Sequence, residues 1–450
     1  MNDALTRDVN GRGFDSRRFH HFIHNMNEIN RRQYISQLAR QLLGVGLFPL
    51  IGNYVHSDTG GMITPKKHAR ARQVIYLNMS GAMSHVDTFD PKPDSDETIR
   101  GPVQAIQTSA DNILLSEYLP TIAQHMHNAA LVRSVTSNQG AHMQASYLMH
   151  TSYQKRGTIT HPTFGSWVSK LTGGINSTIP NHVKINGGAG GSGFLEAKHG
   201  AVPIGNPRAG LANSKAADYL DINRFDNRLD LANMMNKEFV SKFNMKKTRA
   251  YTDLYRDAVK LMRSTDLQAF DITQEPPEMT ELYGDTSFGQ GCLLARRLME
   301  NGVRYVEVSR GGWDTHSDNF TRVQANCEDM DRAVGALLRD LERLGMLSDV
   351  LVVLTSEFGR TPVINGGNGR DHWPNAFSAM FAGAGVKGGT VYGQSDERAM
   401  RVAENPVKPE DLNATIAQLL GMEVNNVHYS PSGRPFKVAH EGVPIFDIIA

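Results

Sequence analysis

The stretch Gln290–Thr355 decides the fold. It opens with QGCLLARRLMEN (290–301) and the apolar run VRYVEV (303–308), and it closes with NCEDMDRAVGALLRDLERL (326–344) and VLVVLT (350–355). Leu293, Leu294, Arg297 and Leu298 recur at helical spacing, and Asn301-Gly302 ends that helix before the first run. In the second helix Met330, Val334, Leu337, Leu338 and Leu341 form one apolar stripe. The two short runs are rich in β-branched residues and read as strands. Helix, strand, helix, strand is a crossover unit, so the strands should be parallel and buried on both faces. The class is therefore α/β.

Working outward, Val74–Met79 and Ala130–Arg133 are two further strands of the same kind, and the α/β pattern extends from Arg72 to Ala450. Between about Gly187 and Gln274 regularity is weaker. A Gly-rich loop (187–193) leads into Ala209–Met262, rich in Asn, Lys and Asp, which reads as an irregular insertion or cap on the sheet. The Gly-rich loop lacks the strand-to-helix setting of a dinucleotide fingerprint, which weakens an oxidoreductase reading.

Composition narrows the function classes. With 450 residues, 40% hydrophobic and 21% charged, the chain can bury a large core and is neither disordered nor a small disulfide-stapled domain. Forty-seven Lys+Arg against 46 Asp+Glu give a formal charge of +1, so no bulk field gathers nucleic acid or anionic lipid. Cys292 and Cys327 stand 35 residues apart without CxxC spacing, which argues against a disulfide framework or a thiolate zinc site.

Residues 1–64 differ from the rest, being rich in Asn, Arg and His with little apolar periodicity, and read as a leader. Arg31-Arg32 stands about nine residues ahead of the apolar run Leu42–Ile51, which is too short to span a bilayer. Paired arginines before a short, glycine-containing apolar stretch resemble a twin-arginine export signal. The expectation is a periplasmic or extracellular protein that uses the twin-arginine translocation machinery and has no transmembrane span. The alternative is an amphipathic helix on a cytoplasmic protein.

In an open parallel sheet functional groups collect beyond the carboxyl ends of the strands, and polar clusters follow all four strands here. Ser84-His85-Val86-Asp87 follows the first, Ser137 and His142 the second, Gly312-Trp313-Asp314-Thr315-His316 the third, and Ser356-Glu357-Phe358-Gly359-Arg360 the fourth, with Asp371-His372-Trp373 beyond it. Carboxylates and imidazoles gathered from several strands are what one or two divalent cations need. Asp314 and His316, two apart in an extended segment, point the same way and can reach one ion, whereas the bland alternative is a turn cap beside an exposed imidazole. Glu357 ends a buried strand, where a lone carboxylate is costly. Either Arg360 neutralises it or a metal does. Arg360, Arg133 and the helix beginning near His142 are available to neutralise an anionic substrate.

Together Ser84–Pro93, Gly289–Glu300 (GQGCLLARRLME), GGWDTH (311–316), SEFGRTP (356–362), GRDHW (369–373) and HYSPSGRP (428–435) resemble the bacterial DUF1501 family, which is placed in the alkaline phosphatase and sulfatase superfamily. The resemblance covers nearly everything from Arg72 onward. It implies a three-layer α/β/α sandwich with a mostly parallel central sheet. It also implies metal-dependent hydrolysis of phosphate or sulfate monoesters, with a small anionic ester as substrate and a sulfated or phosphorylated glycan among the candidates. By the same resemblance Glu357 takes an aspartate ligand's place while Phe358 stands where histidine is expected. Asp314 and His316 look like the Asp/His pair of the other metal position, His372 like a late histidine, and Asp87 with His85 like the first-strand acidic ligand. The implied cofactor is zinc, manganese or calcium, one ion or two. His142 falls where sulfatases carry their nucleophile, leaving Thr136 or Ser137 to attack, or a metal-bound water with His142 as base or ligand. A non-catalytic, metal-stabilised binding or envelope-assembly protein of the same fold fits as well.

Overall fold

Eight strands form the central sheet, and in chain order they are β1 (Gln73–Met79), β2 (Ala129–Val135), β3 (His182–Ile185), β4 (Val202–Ile204), β5 (Tyr305–Arg310), β6 (Val350–Thr355), β7 (Phe377–Gly383) and β8 (Thr390–Tyr392). Side by side they run β8-β2-β7-β6-β1-β5-β3-β4. The pairs β6/β1, β1/β5, β5/β3, β3/β4 and β8/β2 are parallel. Only β7 runs against its neighbours. This computed structural model describes residues 70–188, 190–212, 214, 222–242 and 246–450. Residues 1–64, expected to be a leader and containing Arg31 and Arg32, lie outside them.

Among the described residues the helices of eight or more residues are α1 (His142–Thr151), α2 (Phe164–Leu171), α3 (Ile222–Lys242), α4 (Lys246–Met262), α5 (Ser287–Glu300), α6 (Asn319–Arg343) and α7 (Pro409–Leu419). Strand alternation sorts the apolar side chains into two layers. Ile75, Leu77 and Met79 of β1, Val306 and Val308 of β5, and Val352 and Leu354 of β6 share a core with Leu293, Leu294 and Leu298 of α5 and Met330, Val334 and Leu337 of α6. Val74, Tyr76, Tyr305, Leu351 and Val353 face the opposite core, with Trp167 and Val168 of α2 and Leu412 and Ile416 of α7. Full burial of β6 on both sides explains why it is apolar at every position rather than alternating.

The expected crossover is present with shifted bounds. Val303 is spent closing the end of α5, its N–H donating to the Leu298 carbonyl, so the ladder begins two residues later at Tyr305. The helix expected at 326–344 starts earlier, at Asn319, because Phe320 and Val323 continue its apolar stripe toward the N-terminus. Residues 187–274 are more regular than their composition indicates. Among the described residues they hold edge strand β4 and the helices α3 and α4, whose largely polar sequences conceal the helical period from a hydropathy reading. Most of α3 falls in a different compact unit from the one carrying the sheet. Cys292 and Cys327 are both buried and free, and no described helix is long and apolar enough to cross a membrane.

Candidate metal centre

Parallel strands bring their carboxyl ends to one rim, and the loops there supply the site. Asp314 and His316 follow β5, Glu357 lies two residues past β6, and His142 is the first residue of α1. Residues Gly359–Arg360 pair antiparallel with His372–Trp373, with Arg360 opposite His372, so the register of this small hairpin delivers both side chains.

The arrangement centres on one oxygen. Asp314 Oδ1 lies 3.4 Å from His142 Nε2, 3.1 Å from His316 Nε2 and 3.4 Å from His372 Nε2, while His316 Nε2 and His372 Nε2 are 3.0 Å apart. The ligand atoms of His142, Asp314 and His372 lie within 4.8 Å of one another. On the far side of each ring Nδ1 faces an acceptor. His142 Nδ1 meets Glu357 Oε1 at 2.9 Å, His316 Nδ1 meets Asp371 Oδ1 at 2.7 Å, and His372 Nδ1 meets the Gly140 carbonyl at 2.8 Å. Acceptors at all three Nδ1 positions fix the tautomer with Nδ1 protonated, which leaves each neutral ring an Nε2 lone pair directed at the same region.

A divalent cation fits the donors of His142, Asp314 and His372, with His316 beside them. Ligands about 2.0–2.1 Å from a tetrahedral ion stand roughly 3.3–3.4 Å from each other, close to the separations around Asp314 Oδ1. His142 Nε2 is buried without a hydrogen-bond partner, which is costly unless something else engages it. Asp314 and His316 keep about half of their side-chain surface exposed, 48% and 46%, so the cluster opens to solvent on that side.

Electrostatics keep the carboxylates charged. Burial pushes Asp314 upward, but the hydrogen bond and charge of Arg360, with His142 and His316, more than reverse this and leave it at about 2. Burial likewise raises Glu357, and the hydrogen bonds from His142 and the Gly81 N–H overcome it, so its pKa falls below the usual carboxylate value. The hydrogen bond to Glu357 pushes His142 up.

Not every expected residue joins the cluster. Glu357 stands behind His142 instead of beside the ligand atoms: its Oε1 accepts from Gly81 N–H at 2.8 Å and from His142 Nδ1. Arg360, expected to neutralise Glu357 or a substrate, is fully buried and pairs with Asp314. Three more of its five N–H donors go to the carbonyls of Gly81, Ala82 and Arg370. Asp87 is placed elsewhere. It is fully buried against Arg370, at 2.8 Å from Nε and Nη2, and accepts from Asn319 Nδ2 at 2.9 Å, so it serves as the counter-charge of a buried arginine. His85 is also buried, with Nε2 3.0 Å from the Ala399 carbonyl. Ser137 Oγ accepts the Gln139 N–H at 3.1 Å and makes no hydrogen bond to the cluster. The sequence reading passed over Asp371 as a partner for His316, although it directly precedes His372.

Residues 71–449 match the family described as "Protein of unknown function (DUF1501)". The chain belongs to the DUF1501 family. No curated protein matches it. Among solved structures it is similar to the PsFucS1 sulfatase from Pseudoalteromonas sp., at 14% identity and TM-score 0.37 over 79% of this chain and 69% of that one. The alkaline phosphatase from the Antarctic bacterium TAB5 shows 11% identity and TM-score 0.32 over 74% and 96%. The lipoteichoic acid synthase LtaP from Listeria monocytogenes shows 9% and 0.36 over 80% and 74%. The fold of this DUF1501 chain is an α/β/α sandwich around a mostly parallel sheet. Phe358 in this family member is fully buried, its ring centroid 5.1 Å from that of His142 and 4.8 Å from that of His372, so it walls the centre where the superfamily resemblance leads one to expect a ligand.

Proposed function

We propose that the chain is a metal-dependent hydrolase of phosphate or sulfate monoesters, working outside the cytoplasm. The observation that carries the reading is the convergence of three Nδ1-tethered imidazoles on Asp314. His142, His316, His372 and Asp314 would hold one divalent cation, and their nitrogen-rich donor set favours zinc or manganese over calcium. Bound there, the ion would supply Lewis acidity to offset charge developing on a phosphoryl or sulfuryl oxygen. The chain's own groups then have separate tasks. Glu357 and Asp371 hold the imidazole tautomers. Arg360 keeps Asp314 ionised. The N-terminus of α1, beginning at His142, presents partial positive charge toward an anion at the rim. Export is supported by the twin arginines Arg31-Arg32 ahead of the short apolar run.

A second reading, a metal-stabilised binding or assembly protein without turnover, draws on one observation: an imidazole, His142, occupies the helix start where the superfamily carries its nucleophile. Elemental analysis of purified protein and a panel of aryl phosphates and sulfates separate the two. Bound metal with hydrolysis that a folded Asp314→Ala protein loses supports the hydrolase. A metal-loaded wild type inert on both panels refutes it in favour of the second reading, and a protein that takes up no divalent ion refutes both.

A further inference from the structure

A charge asymmetry in the sequence falls beside the centre. From Tyr118 to Leu195 there is no Asp or Glu, although the chain holds 46 of them. Of the cations in that stretch, Arg133 faces Asp90 and Lys184 pairs with Glu307 at 2.7 Å. Lys155 and Arg156 have no carboxylate partner among the described residues, and both are exposed. Their position relative to the centre is fixed by contacts. Lys155 Nζ lies 3.3 Å from the sulfur of Met143, which follows His142 in α1 and is 66% exposed. Residues 156 and 159 bridge across a tight turn, and Arg434 Nη1 donates to Thr158 Oγ1 of that turn at 3.3 Å. Arg434 belongs to the hairpin His428–Tyr429/Pro435–Phe436, whose Phe436 ring lies 5.5 Å from that of Tyr153, two residues past the end of α1 and two before Lys155. The same hairpin exposes 70% of Tyr429. The nearby acid Glu441 is taken by Lys437 at 3.2 Å.

We infer that Lys155, Arg156 and Arg434, with Tyr429, form a subsite flanking the centre for a polysaccharide that carries several sulfate or phosphate esters. This rests on the hydrolase reading for its choice of polymer: the centre is suited to monoesters, which such a polysaccharide presents as substituents, whereas a nucleic acid backbone consists of diesters. Three unpaired cations give attraction over a Debye length and cost nothing to free from carboxylates. The exposed ring gives a sugar an apolar platform.

Calorimetric titration of the full chain with dextran sulfate over a range of NaCl concentrations tests the subsite, with neutral dextran and single-stranded DNA as comparison probes. The expected result is binding to dextran sulfate that weakens with salt, no binding to neutral dextran, and about a tenfold loss of affinity in the Lys155→Ala/Arg156→Ala/Arg434→Ala protein at unchanged thermal stability. A wild type that does not bind dextran sulfate, a triple variant that binds as well as wild type, or equal binding of single-stranded DNA overturns it. Because binding is read without turnover, polymer affinity in a protein that lacks hydrolysis would count against the hydrolase and leave the subsite standing.

Discussion

Each imidazole of the candidate centre is only as well placed as the group behind it. Glu357 is confined by its strand end and by the Gly81 N–H, and through Nδ1 it sets the ring of His142. Asp371 does the same for His316 from an exposed loop. Outer partners of this kind typically contribute 10–100-fold to metal affinity. Glu357→Gln and Asp371→Asn should therefore each weaken zinc binding by roughly 10–100-fold, measured by competition with a chromophoric chelator. Unchanged affinity in both would show that the rings are positioned by packing alone. Asp314 and His316 could be singled out because they sit in a short polar run after an apolar strand, and His372 because it stands in the polar run GRDHW beyond another. The pairings could not. Arg360 was read against Glu357, three residues away, but it reaches Asp314, 46 residues back. Asp87 is claimed by Arg370 across 283 residues. Local sequence carries no trace of which of several candidate counter-charges tertiary packing will place nearest, so residue types were readable and partners were not.

At the scale of elements, the centre depends on two loops lying against each other. The chain leaving β1 turns at Gly81 with φ +112, a conformation that side chains rarely adopt, and a Cβ there would come within 2.7 Å of the Asp314 nitrogen and 2.9 Å of the Trp313 nitrogen. The same residue gives its N–H to Glu357 and its carbonyl to Arg360. Gly81→Ala should thus push the Asp314 segment outward while disturbing both supports. The expected outcome is a loss of roughly 1–3 kcal/mol in urea unfolding together with weakened metal binding. Wild-type values for both would show that the loop relaxes without consequence. The strands flanking these loops were legible from composition, since burial on both faces demands unbroken apolar runs. The hairpin Gly359–Arg360/His372–Trp373 was not, because two-residue strands have no periodicity to read.

For the whole molecule, a bound ion and the buried histidines make separate claims on stability. An ion that binds only the folded chain adds about 2.7 kcal/mol when present at a hundredfold excess over its Kd, so chelation should lower the thermal midpoint by several degrees in wild type and leave Asp314→Ala unchanged. An equal response in both proteins would place the metal elsewhere. With the ion removed, the pH dependence should come largely from the opposite layer of the sheet. His182 on β3 is buried with Nδ1 3.3 Å from the His199 carbonyl, and burial, outweighing the attraction of Glu307, lowers its pKa to about 4. Burial lowers His199 to about 4 as well, with Lys198 and Lys170 acting in the same direction. An unfolded histidine takes its proton near 6.5, so between pH 6.5 and 4 the unfolded chain binds more protons than the folded one and folding weakens as pH falls. His142, raised by its hydrogen bond to Glu357, contributes in the opposite sense, whereas burial also lowers His85, His125, His161 and His428 and so adds to the decline. Urea unfolding in chelator should therefore show stability that is complete above pH 6.5 and declines steadily toward pH 4. The decline should become shallower in a His182→Gln protein, because an amide keeps a donor toward the His199 carbonyl without a site that must stay unprotonated. A wild-type profile that is flat through this window would mean that these rings are hydrated enough to titrate normally in the folded state.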